Sequence, residues 1–453
     1  LAGTEVYAAE VAARLLARGD EVEVFCAEKA VGEVDRRVRV REWEGVRVHE
    51  FVNNLHLGGL EETWSLVEAE RAFGEVLDEV QPDVVHVNHL MYLSLGCLGE
   101  ARQRGLGVVF TLHDLWLSCP RWGQRLGWDG ELCREVDLGR CGECMAHTKF
   151  AATPMEERIS GWLVRLKEAT GLDLAEAARQ ARRVVVERGG GGGDVEVGEV
   201  SQRSLRELKV AVAKRDAGVR EQVLGGVDRF LSPSRFVAQE MVRWGLEESR
   251  VEHLGTGLAG GAVPGRVARE GKVRVRFLGS LIPSKGAHVL VEAWGRLSEE
   301  ARAAGELVLF GPRGHDAAYT AALERAVAKV GGRWGGALER GEVPQELART
   351  DLVCLPSLWF ENLPLVVLEA RAAGVPLLVS DLGGLAEAVP DGGGGWRFAA
   401  GDAGELAAKL EELLLAPESL DAVEVPSAPL AEPHFERLFE VYAEVIRDRG
   451  RVV

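Results

Sequence analysis

Ser357-Leu358-Trp359-Phe360-Glu361-Asn362-Leu363-Pro364-Leu365-Val366-Val367-Leu368-Glu369-Ala370 is the stretch from which the fold can be read. The short apolar run 351–355 ahead of it has strand character, and 364–373 reads as a helix that is apolar nearly all round. A strand that feeds directly into a buried helix is the repeating unit of a parallel sheet covered by helices. Glu361 stands at the mouth of that helix, with Asn362 as the expected N-cap and Pro364 tolerated in the first turn. Glu369 lies within the helix between Leu368 and Ala370, where a carboxylate needs a partner. That partner is either a structural cation, such as Arg371, or the hydroxyls of a ligand.

The same alternation extends to both sides. Strands are expected at 273–278, 307–310 and 375–379, and helices at 287–297, 317–330 and around Leu385. The first third repeats the theme, with helices at 4–17, 61–79 and 92–104 and strands at 21–25, 46–50, 83–87 and 107–112. A further strand at 227–231 and helix at 234–244 close that half. The pattern predicts an α/β protein of two doubly wound, Rossmann-like domains. The first spans 1–258, with a Cys-containing loop at 115–150 and a helical insertion at 154–225. The glycine run Gly189 to Gly193 cannot hold a helix, so it is read as the tip of a hairpin. The second domain spans 259–430, after a Gly-rich hinge at 255–265. Phe435, Leu438, Phe439, Tyr442 and Ile446 form one apolar stripe in the closing segment 431–453, expected to pack back across the junction.

The 453 residues carry 54 Lys and Arg against 71 Asp and Glu, a net charge of −17. That excess of acid disfavours nucleic acid or anionic lipid as a general partner, so any phosphate must be met by dedicated residues. A hydrophobic content of 46% is enough for two ordinary cores. No apolar run is long enough to span a membrane and no secretory leader is recognisable, so a soluble, cytoplasmic protein is expected. Leu1 opens directly onto a helix, and the reading expects a first parallel strand to be missing ahead of it. In open parallel sheets the ligand lies beyond the carboxyl ends of the strands, where helix N-termini attract anions.

Glu361 and Glu369, together with Gly374-Val375-Pro376 and Ser380-Asp381-Leu382-Gly383-Gly384, resemble the donor-site signature of retaining glycosyltransferases of family four. Phe277-Leu278-Gly279-Ser280-Leu281-Ile282-Pro283-Ser284-Lys285-Gly286 is similar to that family's strand and loop with a diphosphate-binding lysine. Gly3-Thr4-Glu5 is similar to the end of its Gly-rich loop, and Thr111-Leu112-His113-Asp114 to its active-site histidine turn. The resemblance implies a GT-B fold, with a nucleotide diphosphate sugar held mainly by the C-terminal domain and a glycan or lipid-linked acceptor by the N-terminal one. It also implies retaining transfer in polysaccharide biosynthesis, at the inner face of the membrane when the acceptor is lipid-linked.

By the same resemblance, Glu361, His113 and Lys285 form the catalytic set. Gly3, Thr4, Lys285, Glu361, Asn362, Leu363, Leu365 and Glu369 bind the donor. Glu369 would accept ribose hydroxyls, Glu361 would contact the donor sugar, and Lys285 would neutralise the diphosphate in place of a catalytic metal or other cofactor. His113 is expected at the transferred sugar or the departing phosphate, not as a nucleophile. Two departures stand out: Ser280 replaces a commonly found arginine, with Arg313 as a compensating cation, and Pro364 replaces a glycine and removes one amide donor.

His86 and His89 follow another strand and either line the acceptor side or serve structure, and Asp114 either caps its turn or touches substrate. Cys119, Cys133, Cys141 and Cys144 are expected to form one structural zinc site that orders the loop after His113. Cys26, Cys97 and Cys354 fall in apolar segments and read as core residues. Competing functions on the same architecture are a nucleotide-sugar epimerase, a phosphorylase, and a nucleotide-binding module without activity.

Overall fold

The computed structural model describes residues 3–30, 33–151, 162, 166, 202–258, 264, 266–314, 316–390 and 393–450. Two compact units divide the chain. The first comprises Leu1–Ser232, Glu240–Glu252 and Arg437–Val453, and the second Pro233–Gln239 and His253–Glu436.

Among the described residues, the first unit holds two sheets. β1 (Glu23–Glu28), β2 (Val38–Trp43) and β3 (Val46–Val52) form one, in the order β1-β3-β2. β4 (Val84–Val87), β5 (Gly107–Thr111), β6 (Arg229–Ser232) and β7 (Val251–His253) form the other in that sequence, with β5 parallel to both neighbours. β5 is buried along its whole length, as a central parallel strand should be. β2 was not foreseen, because its arginines hide the strand pattern. Arg39 and Arg41 both pair with the buried Glu50 on the antiparallel neighbour β3, so the charge is satisfied across the sheet.

The helix expected at 61–79 is broken into a single turn, Leu60–Thr63, and a helix, Val67–Val80. Trp64 and Leu66 turn inward between them, and Leu66 is extended at φ −133°. The helix expected from 92 starts only at Gly96, since Tyr92 sits at φ +67°, outside helical space. Of the expected insertion, Gln202–Gly226 is one long helix. Apart from Trp162 and Leu166, 154–201 lies outside the described residues, the expected hairpin tip included.

The second unit is built on β8 (Val273–Leu278), β9 (Gly305–Phe310), β10 (Arg333–Gly336), β11 (Leu352–Leu355), β12 (Leu377–Ser380) and β13 (Gly395–Phe398). They form one parallel sheet in the order β10-β9-β8-β11-β12-β13. Side chains alternate between two cores: Leu352 and Cys354 face one, Val353 and Leu355 the other. Both faces are covered, which explains the continuous apolar runs in the sequence. The order reverses between β8 and β11, and their carboxyl ends carry the Lys285 loop and the Glu361 loop side by side.

Glycines let these loops close on one another. Gly286 lies at φ +70°, and a Cβ there would collide with the Pro356 carbonyl oxygen. A Cβ on Gly384 would collide in the same way with the Asn362 carbonyl oxygen. Gly331, at φ +81°, has open space around it. Gly286→Ala should therefore lower stability by about 2 kcal/mol or more, and Gly331→Ala by only about 1 kcal/mol, as read from urea unfolding. Equal losses would show that the loop contact contributes nothing beyond backbone strain.

Candidate functional site

In the second unit the turn Pro283–Lys285 follows β8, and the segment from Ser357 to Pro364 follows β11. Backbone joins them, since Leu358 N donates to Ser284 O at 2.8 Å. Side chains join them more tightly. Lys285 Nζ donates to Glu361 Oε1 at 2.6 Å, and the same oxygen accepts from Trp359 Nε1 at 2.6 Å and Ser357 Oγ at 2.9 Å. Glu361 is only 8% exposed, so the ion pair is desolvated on its acidic side. From behind, Gly384 N donates to Glu361 O at 2.8 Å, so the second glycine turn fixes the loop backbone.

The helix begins at Leu365, with Pro364 as its N-cap in extended conformation and no side-chain cap. The expectation that Asn362 caps this helix is corrected. Pro364 strongly disfavours helical geometry in the residue before it, so the helix cannot reach back to Asn362. Glu369 lies one turn further on, partly buried, and burial raises its carboxyl above the ordinary range while Arg340 opposes the shift. Arg371 donates instead to the Ala388 carbonyl, so the structural partner considered for Glu369 is engaged elsewhere. Arg313 is likewise engaged: it pairs with Glu324 at 2.8 Å and lies over the Trp334 ring.

The first unit gathers a second constellation at the carboxyl ends of β4 and β5. His113 Nε2 faces Asn88 Oδ1 at 3.0 Å, and its ring meets Tyr7 edge-on at 5.1 Å. Tyr7 belongs to the helix Gly3–Arg18, so Gly3 and Thr4 form the first turn of an element that reaches the histidine. Because an amide oxygen only accepts, this contact puts the His113 proton on Nε2. Burial, aided by the charge of His89, lowers its pKa to about 4, so the ring is neutral at neutral pH.

The other two histidines are tied into the structure. His89 bonds Asp114 at 3.1 Å and accepts from Met91 N, while Asp114 also accepts from Trp116 N and so caps its turn. His86 bridges Thr111 Oγ1 at 2.7 Å and the Tyr442 hydroxyl at 2.6 Å.

The four cysteines expected to hold zinc lie near one another, since Cys119, Cys133 and Cys144 all act on the Cys141 thiol, but zinc itself is not confirmed. Cys119 and Cys144 are buried and Cys133 and Cys141 partly so, all four as free thiols. Among the described residues, no three His, Cys, Asp or Glu side chains are placed to hold a metal ion. Two buried arginines, which the sequence reading passed over, order the loop. Arg125 donates to the Cys133 and Arg134 carbonyls and to Glu240, and Arg215 to the Trp116 and Leu117 carbonyls. Each satisfies two loop carbonyls at once, an ordering of the loop that the cysteine count did not show.

Residues 265–424 match the family model for glycosyl transferases group 1, and residues 1–159 the model for glycosyltransferase family 4. D-inositol 3-phosphate glycosyltransferase 2 of Catenulispora acidiphila is 30% identical over 218 residues, 44% of this chain and 51% of that protein. Glycogen synthase of Mycobacterium tuberculosis is 33% identical over 170 residues, 38% of this chain and 41% of that protein. The chain thus spans about half the length, or less, of these curated relatives. Sucrose-phosphate synthase from Thermosynechococcus elongatus superposes with a TM-score of 0.59 at 15% identity, over 99% of this chain and 94% of that one. Anabaena HepE in complex with UDP and glucose gives 0.54 at 13%, over 93% and 99%. At such identities the likeness shows the fold, which is GT-B with two Rossmann-like halves. Among the described residues no helix is long and apolar enough to cross a membrane.

The His113 geometry has a pH signature. A histidine with a depressed folded pKa adds stability above its unfolded value of about 6.5, and that stability is lost as pH falls toward about 4. Asn88→Asp puts a carboxylate against Nε2 and should raise the His113 pKa by at least one unit in an NMR titration. It should also flatten the loss of stability between pH 6.5 and 4. An unmoved pKa would mean that Asn88 does not govern this ring.

Proposed function

The chain belongs to the glycosyltransferases of family 4, and on that premise we propose that it moves a sugar from a nucleotide diphosphate sugar to a hydroxyl of a glycan or lipid-linked acceptor, with retention of anomeric configuration. The observation that carries this reading is the Lys285–Glu361 pair, where the strand order of the second unit reverses. Open α/β sheets bind nucleotides at such a switch point. A lysine there meets a diphosphate as a compact cation, and the amides of Leu363 and Leu365 flank the place where Pro364 offers none. Half-buried Glu369, whose structural cation is engaged elsewhere, suits the ribose hydroxyls. The relatives' names support sugar transfer, and the UDP and glucose bound by HepE support a nucleotide sugar as donor.

The chemistry follows from how the charges are held. Lys285 stabilises the charge that grows on the leaving diphosphate, so no metal or other cofactor is needed for departure. Glu361, held through one oxygen by three donors, is assigned to a hydroxyl of the donor sugar and not to the anomeric carbon. Attack of the acceptor hydroxyl on the same face the diphosphate leaves, through an ion-pair-like state, satisfies retention without a protein-bound sugar. Neutral His113 offers hydrogen bonds to the transferred sugar and not a charge. The reaction is assigned to the cytoplasm, and an acceptor carried on lipid would bring the protein to the membrane face.

Glu361→Ala should abolish transfer and leave the fold intact, whereas Glu369→Ala should chiefly weaken nucleotide binding, by roughly ten- to hundred-fold. Mass spectrometry of products from a panel of nucleotide sugars and glycan or lipid-linked acceptors, with calorimetry of the nucleotide, reads both. Anomeric proton couplings of the product test retention. Unchanged nucleotide affinity in Glu369→Ala would refute its assignment to the ribose.

A further inference from the structure

Three donors converge on one oxygen of Glu361, and that count is physically informative. A carboxylate offers about four lone-pair sites, two on each oxygen. Oε1 accepts from Lys285 Nζ, Trp359 Nε1 and Ser357 Oγ, one donor more than its lone pairs match. Among the described residues, no side-chain donor bonds Oε2. The arrangement is lopsided: one oxygen is crowded and the other is left to solvent or ligand.

The three donors differ in what else they can do. Ser357 is 4% exposed and fixed where β11 ends, and Trp359 is fixed on the same short segment. Both sit within four residues of Glu361 and have only a neutral N–H or O–H to give. Lys285 comes from the other loop, is 24% exposed, and is the one charged donor of the three. An arriving diphosphate competes for Lys285 alone, since it offers more negative charge than one carboxylate. Once Lys285 turns away, two donors remain for the two lone pairs of Oε1.

We propose that Ser357 and Trp359 are positioning residues that hold Glu361 by Oε1 and leave Oε2 for a hydroxyl of the donor sugar, with Lys285 as a partner that the donor diphosphate withdraws. This rests on the donor-site reading above and adds to it a hand-over. Before the donor arrives, Lys285 neutralises Glu361 and keeps a lone carboxylate from being stranded in a nearly closed site. When the diphosphate takes the lysine, the Glu361 carboxylate is left without its counter-charge beside the sugar while two neutral donors hold its geometry. Full acceptor strength is thus reached only with the donor in place. No bond to carbon is made or broken in this step, and no proton need change hands.

The hand-over separates binding from turnover. Ser357→Ala and Trp359→Phe each remove one anchor, so each should lower kcat roughly tenfold while the KM for the donor stays within about twofold. Ser357→Thr keeps the hydroxyl and should restore most of kcat. Glu361→Gln removes the carboxylate that holds Lys285, so calorimetry with UDP, ADP and GDP in turn should find the bound nucleotide held severalfold more tightly. That measurement needs no turnover and stands even if an anchor variant does not fold. Wild-type kcat in both anchor variants, a Ser357→Thr variant no better than Ser357→Ala, or weaker nucleotide binding by Glu361→Gln would each overturn the inference. Wild-type protein that binds none of the three nucleotides and transfers no sugar would instead refute the donor-site reading, and the inference with it.

Discussion

A lysine on one loop and a glutamate on the next, 2.6 Å apart, set the terms for the second unit. Two loops can meet this closely only if the strands that carry them are neighbours, and β8 and β11 are neighbours only because the strand order reverses there. The loops must also be free of side-chain bulk where they touch, which is why glycine stands at 286 and 384. Sheet order, glycine placement and ion pair are therefore one constraint seen at three scales. A buried pair of this kind adds little net stability, because desolvation offsets the attraction. Under the proposed function its value lies in placing a cation and an anion a few ångströms apart, ready for a ligand that needs both.

The first unit solves a different problem by similar means. Its loop after His113 is long, and although Leu115, Trp116, Leu117 and Met145 are buried, its backbone carbonyls still need donors. Two arginines enter from within the unit and gather the loop's carbonyls, each through a planar fork that satisfies more than one acceptor. His113 is fixed by Asn88 on the adjacent strand end and by the edge of Tyr7. The result is a neutral ring of defined tautomer, set beside the hydrogen-bonded pair His89 and Asp114, which serves the turn.

Much of this was legible in the sequence, for identifiable reasons. The buried strands of the second unit announce themselves as apolar runs, and Val273–Leu278 falls where the pattern puts it. Glu361 was picked out by its place at a helix mouth after a strand and Lys285 by the family resemblance, but nothing in their spacing reveals that they touch. β2 was missed because Arg39 and Arg41 mask a strand whose charges are met by Glu50 across the sheet. The capping role expected of Asn362 failed because Pro364, two residues on, overrides local capping preference. Counting cysteines pointed to a metal, and the four thiols do lie near one another, although zinc itself is not confirmed. Arg125 and Arg215 went unnoticed because a lone arginine in a polar stretch looks solvated, although a long-range carbonyl partner was what each one needed.

Everything proposed for the second unit depends on its switch point binding a nucleoside diphosphate through Lys285. Calorimetric titration of UDP, ADP and GDP into the wild-type protein and Lys285→Met tests it without any knowledge of sugar or acceptor. At least one nucleotide should bind the wild type, and the variant, with unchanged melting temperature, should bind it at least roughly tenfold more weakly. Equal affinity in the two proteins would contradict it.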